Sequence, residues 1–156
     1  MLNESGDLLL IHDSGPDSVD LPTGRVITFA STELLRALSK SDMWFCDGNF
    51  AMAPEQVSQL YVVRSAIGGR TITCASCLLT RKTRDAYEYF TNLFEVAADA
   101  GIRLVPSNIM MDYELGAING ASVALRFGFA SHACYYHFSQ SLWPGMKRFG
   151  FQGVCK

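Results

Sequence analysis

Two aspartates stand where a carboxylate is costly. Asp47 lies in "MWFCDGNF", residues 43–50, and Asp112 in "NIMMDYE", residues 108–114. Each ends an apolar run that reads as a buried strand. A charge taken out of water there needs a partner, hydrogen bonds or a metal ion. Two carboxylates brought together in such a setting repel, and one takes up a proton unless a cation intervenes. Mg²⁺ is a hard cation that uses one or two carboxylates together with substrate phosphates. Two such ions about 3.5–4 Å apart activate a nucleophile and stabilise the leaving oxygen in phosphoryl transfer. Two simpler readings stand beside this one. Asp47-Gly48 is a common hairpin dipeptide, although "NFAMAPEQV" after it gives no clean strand mirroring "MWFC", and Pro54 interrupts it. Asp112 could instead cap the helix that follows it.

Whether the two acids meet depends on the elements that carry them. Residues 1–42 read as a lead-in. It has short strands at 7–11 and 25–29, a turn-rich stretch between them, and a helix "TELLRALSKSD" capped by Ser31 or Thr32 with Leu34, Leu35 and Leu38 on one side. From residue 43 three strands follow quickly, at 43–47, 59–67 and 70–80, and Gly68-Gly69 marks a hairpin between the last two. Tyr87, Phe90, Leu93, Phe94 and Ala97 fall at helical spacing in "TRDAYEYFTNLFEVAADAG", which Gly101 stops. A strand at 107–112, a helix from Glu114 to Leu125, a strand in "FASHACYYH" and a last helical stretch, "FSQSLWPGMKRFG", complete the chain. Pro144 and Gly145 predict a stop or kink at Trp143.

Short connections pair strands antiparallel, and helical crossovers pair them parallel with a right-handed turn. The prediction for 43–156 is therefore an α/β domain: a mixed five-stranded sheet, order 3-2-1-4-5, flanked by helices. That is the element order of an RNase H-like sheet. Its first and fourth strands are neighbours, which sets Asp47 beside Asp112.

Composition bounds the function. A chain of 156 residues, 49% hydrophobic and 18% charged, has a core and is not disordered throughout. Its net charge of -2 excludes a protein that grips DNA by overall charge, so any phosphate contact must be local or metal-mediated. No apolar run approaches the roughly 20 residues of a membrane span, and the N-terminus lacks the basic region of a signal peptide. Five scattered cysteines favour reduced thiols in a cytosolic or nuclear setting.

Other residues invite chemistry and have plainer readings. Cys74 and Cys77 form a C-x-x-C, but inside a strand positions i and i+3 point to opposite faces, and core packing is the reading preferred. Cys134 and His137 could ligate zinc, with His132 and Cys155 as further donors, or could simply pack. Arg81, Lys82 and Arg84 make a basic run that reads as a solvated helix start or a phosphate contact. His12 reads as a surface residue, and Gly48 as room for backbone near metal and substrate.

Four stretches in order, "WFCDGNFAMAPEQVSQLYVVR" (44–64), "LLTRKTRDAYEYFTNLF" (78–94), "NIMMDYELGAINGA" (108–121) and "ACYYHFSQSLW" (133–143), resemble the MULE transposase domain of Mutator-like DNA transposons. "RVITFASTELLRALSKSD" resembles the lead-in of animal members, so the likeness spans about residues 25 to 150. The resemblance implies an RNase H-like fold and a DDE-type transposase. Such an enzyme uses Mg²⁺ or Mn²⁺ to cleave and transfer DNA strands in the nucleus, as a homo-oligomer on transposon ends and target. Asp47 in "DGNF" matches the first acid, where the family usually has DGTF. Asp112 in "MDYE" matches the second, usually DFE. Glu114 matches an acidic residue not normally counted as catalytic, and Cys134 with His137 matches a Cys-x-x-His pair. The third acid belongs to a helix beyond that pair, and the sequence stops at Lys156. The implied chain is the front part of a catalytic core, truncated at its C-terminus. Two alternatives stay open: a domesticated or decayed, non-catalytic DNA-associated module, which the Pro144-Gly145 departure also suits, and an unrelated α/β nuclease with Glu114 as third ligand.

Overall fold

Period-two alternation of apolar residues recurs along the chain, and it builds one sheet. The computed structural model describes residues 10–15, 24–49, 52–81, 89–112, 114–125 and 128–149. Its strands are β1 (Leu10–Asp13), β2 (Val26–Ala30), β3 (Met43–Asn49), β4 (Gln59–Ile67), β5 (Arg70–Leu79), β6 (Asn108–Met111) and β7 (Ala130–Ala133). The described helices are α1 (Thr32–Ser39), α2 (Tyr89–Asp99), α3 (Leu115–Ala124) and α4 (Tyr135–Arg148). The sheet runs β1-β2-β5-β4-β3-β6-β7. The fold is thus α/β, but the described residues form one seven-stranded sheet where a five-stranded sheet was expected beside separate lead-in strands. The two lead-in strands add to the β5 edge, with β2 antiparallel to β5 from Val26–Leu79 to Ala30–Ala75. An uncovered β5 would offer a row of unpaired backbone groups, which β2 satisfies.

Connection length decides strand direction as expected. Gly68 and Gly69, at φ +57° and +75°, make the two-residue turn that pairs β4 antiparallel to β5. β3 lies antiparallel to β4 and parallel to β6, and β6 lies parallel to β7. Each parallel partner is reached through a helix. Ser31 caps α1, its Oγ accepting the Leu34 N–H at 3.2 Å. Gly101, at φ +70°, closes α2, and the Ile102 N–H reaches back to the Ala97 carbonyl at 2.7 Å.

One face of the sheet carries the core. Trp44, Cys46, Tyr61, Val63, Cys77, Leu79 and Ile109 cluster there with Leu35 and Leu38 of α1, Leu93 and Ala97 of α2, and Ala117 and Ala121 of α3. The other face is only partly covered. The first turn of α4 lies against it, and no residue of α4 is buried. No described helix is long and apolar enough to cross a membrane.

Three local expectations need correction. The strand expected through "CYYH" ends at Ala133, and Tyr135 already begins α4. Tyr135, Phe138 and Leu142 fall at helical spacing, so the period of the last helix extends further back than its apparent start. That helix also passes through Pro144 to Arg148 without stopping at Trp143. Proline removes the N–H that would serve the Gln140 carbonyl, but Gln140 is exposed and water can replace it. Finally, Cys74 and Cys77 are both buried in the core, although i and i+3 should oppose. The register of β5 on β4 shifts between Val63 and Arg64, leaving Cys74 as the extra residue of a bulge. Burial pushes the Cys77 thiol up to about 12 and raises Cys74 as well, so both act as packing groups.

The front of the helix expected around α2, with Tyr87, Lys82 and Arg84, lies outside the described residues, as does Cys155. Arg81 is exposed, and His12 is half-buried on the edge strand β1.

Candidate functional site

β3 and β6 are parallel, so their carboxyl ends point the same way. Their pairing runs from Met43–Asn108 to Phe45–Met110. That pairing ends there and β6 at Met111, but the same register carried two residues on leads to Asp47 and Asp112 on one face of the sheet, and the Asp47 charge acts on Asp112. Asp47-Gly48 is not a hairpin tip, because β3 continues through Gly48 and Asn49, opposite Tyr61 and Leu60 of β4. The capping reading of Asp112 holds in part. Its Oδ1 accepts the Glu114 N–H at 3.3 Å at the entrance to α3, while Glu114 is the N-cap residue itself.

Around Asp47 the surroundings are polar but unfinished. Its Oδ1 is buried without a hydrogen-bond partner. The Nε2 of His137, on the first turn of α4, lies 3.6 Å from that oxygen, beyond hydrogen-bond reach. His137 Nδ1 is likewise buried without a partner. Both residues line a cavity of about 190 Å³ with Phe45, Arg64, Met110 and Cys134. Arg64 brings a cation there that the sequence reading missed. Its position opposite Phe45 is the signal, since alternation along β4 puts it on the Asp47 face.

Asp112 senses its surroundings. Burial first, then the charges of Glu114 and Asp47, push the Asp112 carboxyl above its ordinary value, against the Glu114 N–H and His137, which pull it down. The Cys46 thiol behind them is raised by burial and then by the charges of Asp112 and Asp47. That thiol stays protonated and inert.

Gly48 leaves room on the core face of the sheet. A Cβ on Gly48 would collide with Nε2 of Gln59, so the gap is filled by a side chain of β4. Gln59 is fully buried, and its Nε2 donates to Glu114 Oε2 at 3.2 Å. Gln59 is a second residue that sequence reading missed. In "QLYVVRS" it occupies an inward position with Tyr61 and Val63, where an amide is out of place without a partner. Gly48→Ala is expected to cost about 1–3 kcal/mol in urea unfolding, because the methyl must expel a buried amide. A loss below about 0.5 kcal/mol, the range of an inert surface change, would mean that Gln59 leaves the gap freely.

The donors suit a hard cation. Two carboxylates side by side, one with an orphaned buried oxygen, match the one or two that Mg²⁺ or Mn²⁺ takes from protein. Among the described residues no group of three or more His, Cys, Asp or Glu side chains is placed to hold a metal ion. This bears on zinc too, which takes about four ligands in structural sites. Cys134 is the N-cap residue of α4, and His132 is engaged with Asn108 Oδ1 at 2.8 Å. No family model matches the chain, and no curated protein matches it.

Proposed function

We propose that this chain carries the first two acids of a metal-dependent DNA transposase core of the Mutator-like kind, with Asp47 and Asp112 as cation ligands. The observation that carries the reading is the placement of both carboxylates at the carboxyl ends of adjacent parallel strands. The sheet supports an RNase H-like assignment. Numbered from Met43, its strands run 3-2-1-4-5, with β1 and β2 as additions. When bound, Mg²⁺ or Mn²⁺ supplies an activated nucleophile and charge stabilisation at the leaving oxygen of a phosphodiester. The chain's own residues hold and orient. Asp47 and Asp112 offer oxygens to the cation, and Arg64 places a positive charge in the adjoining cavity for a phosphate. DNA as partner, assembly of copies on it and a nuclear setting belong to this same reading. Cys134 and His137 serve it as packing and Asp47-facing groups.

A second reading is favoured by the lack of a third metal donor among the described residues. It is a non-catalytic, DNA-associated module derived from such an enzyme. Titration calorimetry with Mn²⁺ tests the site on which the first reading depends. Wild type is expected to give a saturable heat that Asp47→Ala abolishes, and identical heats would remove the metal site. Cleavage of plasmid DNA by the chain itself would overturn the second reading.

A further inference from the structure

We infer that Gln59 is a positioning residue, which reaches through the gap left by Gly48 to hold Glu114 as an outer acid of the Asp47–Asp112 pair. The inference rests on the metal site proposed above and adds two residues to it. Gln59 is fully buried at an inward position of β4. A buried amide is retained at such a place only when its hydrogen bonds are met. Its Nε2 donates to Glu114 Oε2 at 3.2 Å, and the Glu114 backbone N–H donates to Asp112 Oδ1 at 3.3 Å. One line of contacts therefore runs from the core, through Glu114, to the second acid. The opening for it is the residue that directly follows the first acid, since any Cβ on Gly48 collides with Gln59.

Glu114 acts from behind the pair. It is not gathered with Asp47 and Asp112 into a three-donor group. An acid in this position adds negative charge that acts on Asp112, and such outer partners typically contribute about ten- to a hundredfold in metal affinity. The competing role for Gln59 is purely structural: tying the start of α3 to the sheet. That role would alter stability and leave metal affinity alone.

The experiment compares Mn²⁺ affinity, read from the free-ion signal in electron paramagnetic resonance, across five proteins: wild type, Gln59→Met, Glu114→Ala, their double variant and Asp47→Ala. Methionine keeps the length of Gln59 and loses the donor. The expected result is a roughly tenfold or larger loss for Gln59→Met and for Glu114→Ala, with no further loss when they are combined. Wild-type affinity in Gln59→Met, whatever its melting temperature, overturns the inference and leaves the metal site standing. Losses that multiply in the double variant overturn it too, because Gln59 would then act without Glu114. If Asp47→Ala binds Mn²⁺ like wild type, the metal site falls and the inference with it. Should Gln59→Met fail to fold, Gln59→Leu carries the same comparison.

Discussion

Trp44→Ala is expected to lower the unfolding free energy by about 3–5 kcal/mol, the cost of emptying a large aromatic site in a packed core. Trp44 is fully buried on β3, paired in register with Ser65 of β4 and Ile109 of β6. Its ring stacks on Phe94 of α2, with centroids 5.8 Å apart and planes 23° from parallel. Its Nε1 donates to the carbonyl of Leu38 in α1 at 3.3 Å. One side chain thus pins two helices to the central strand. Alanine opens a cavity between them and removes one donor from the Leu38 carbonyl, which keeps the Ser41 N–H at 3.2 Å. Trp44→Phe separates the two contributions. It retains a ring to stack and loses the donor, and should fall well short of the alanine loss. Urea denaturation followed by far-ultraviolet circular dichroism reads both. An alanine loss of under about 1 kcal/mol, the average for any substitution, would show that neither helix depends on the indole.

Much of this was legible in the sequence because it depends on short-range rules. Strand and helix follow from apolar spacing, the β4–β5 hairpin from two glycines, and strand direction from connection length. Those together suffice to bring Asp47 and Asp112 to one end of the sheet. What escaped depends on tertiary context. Nothing local says that β1 and β2 will add to the edge of β5. The bulge at Cys74 is set by a pairing partner, and no rule within β5 reveals it. The passage of α4 through Pro144 rests on water reaching an exposed carbonyl, a property of the surface and not of the residue. Gly48 shows the limit best. The sequence marks a place where no side chain fits, but only the fold shows that the occupant is Gln59 and that its amide is spent on Glu114.

Asp112→Asn is expected to have opposite effects on binding and on stability. Asparagine keeps an oxygen that can accept the Glu114 N–H and removes the charge. Losing one carboxylate of the proposed metal site should weaken Mn²⁺ binding beyond the roughly hundredfold upper range of an outer-shell partner. Without metal, the variant should be the more stable protein at neutral pH. The Asp112 carboxyl is raised above its ordinary value of 3.8, chiefly by burial. An acid raised in the folded state binds its proton more tightly there than in the unfolded chain. Above the folded-state value it is ionised in both states, and the folded state bears the cost. As pH falls through the folded-state value toward 3.8, the folded protein takes up a proton first and wild type regains stability. The advantage of Asp112→Asn should therefore be full above the folded-state value and shrink on acidification toward 3.8. Saturating Mn²⁺ should reverse the order at pH 7. A ligand at a hundred times its dissociation constant stabilises the protein that binds it by about 2.7 kcal/mol, and the asparagine variant forgoes this. Thermal unfolding of both proteins, with and without Mn²⁺, reads the crossing. A variant less stable than wild type in metal-free buffer at pH 7 would mean that the protein already compensates the Asp112 charge. The pair would then have no need of a cation.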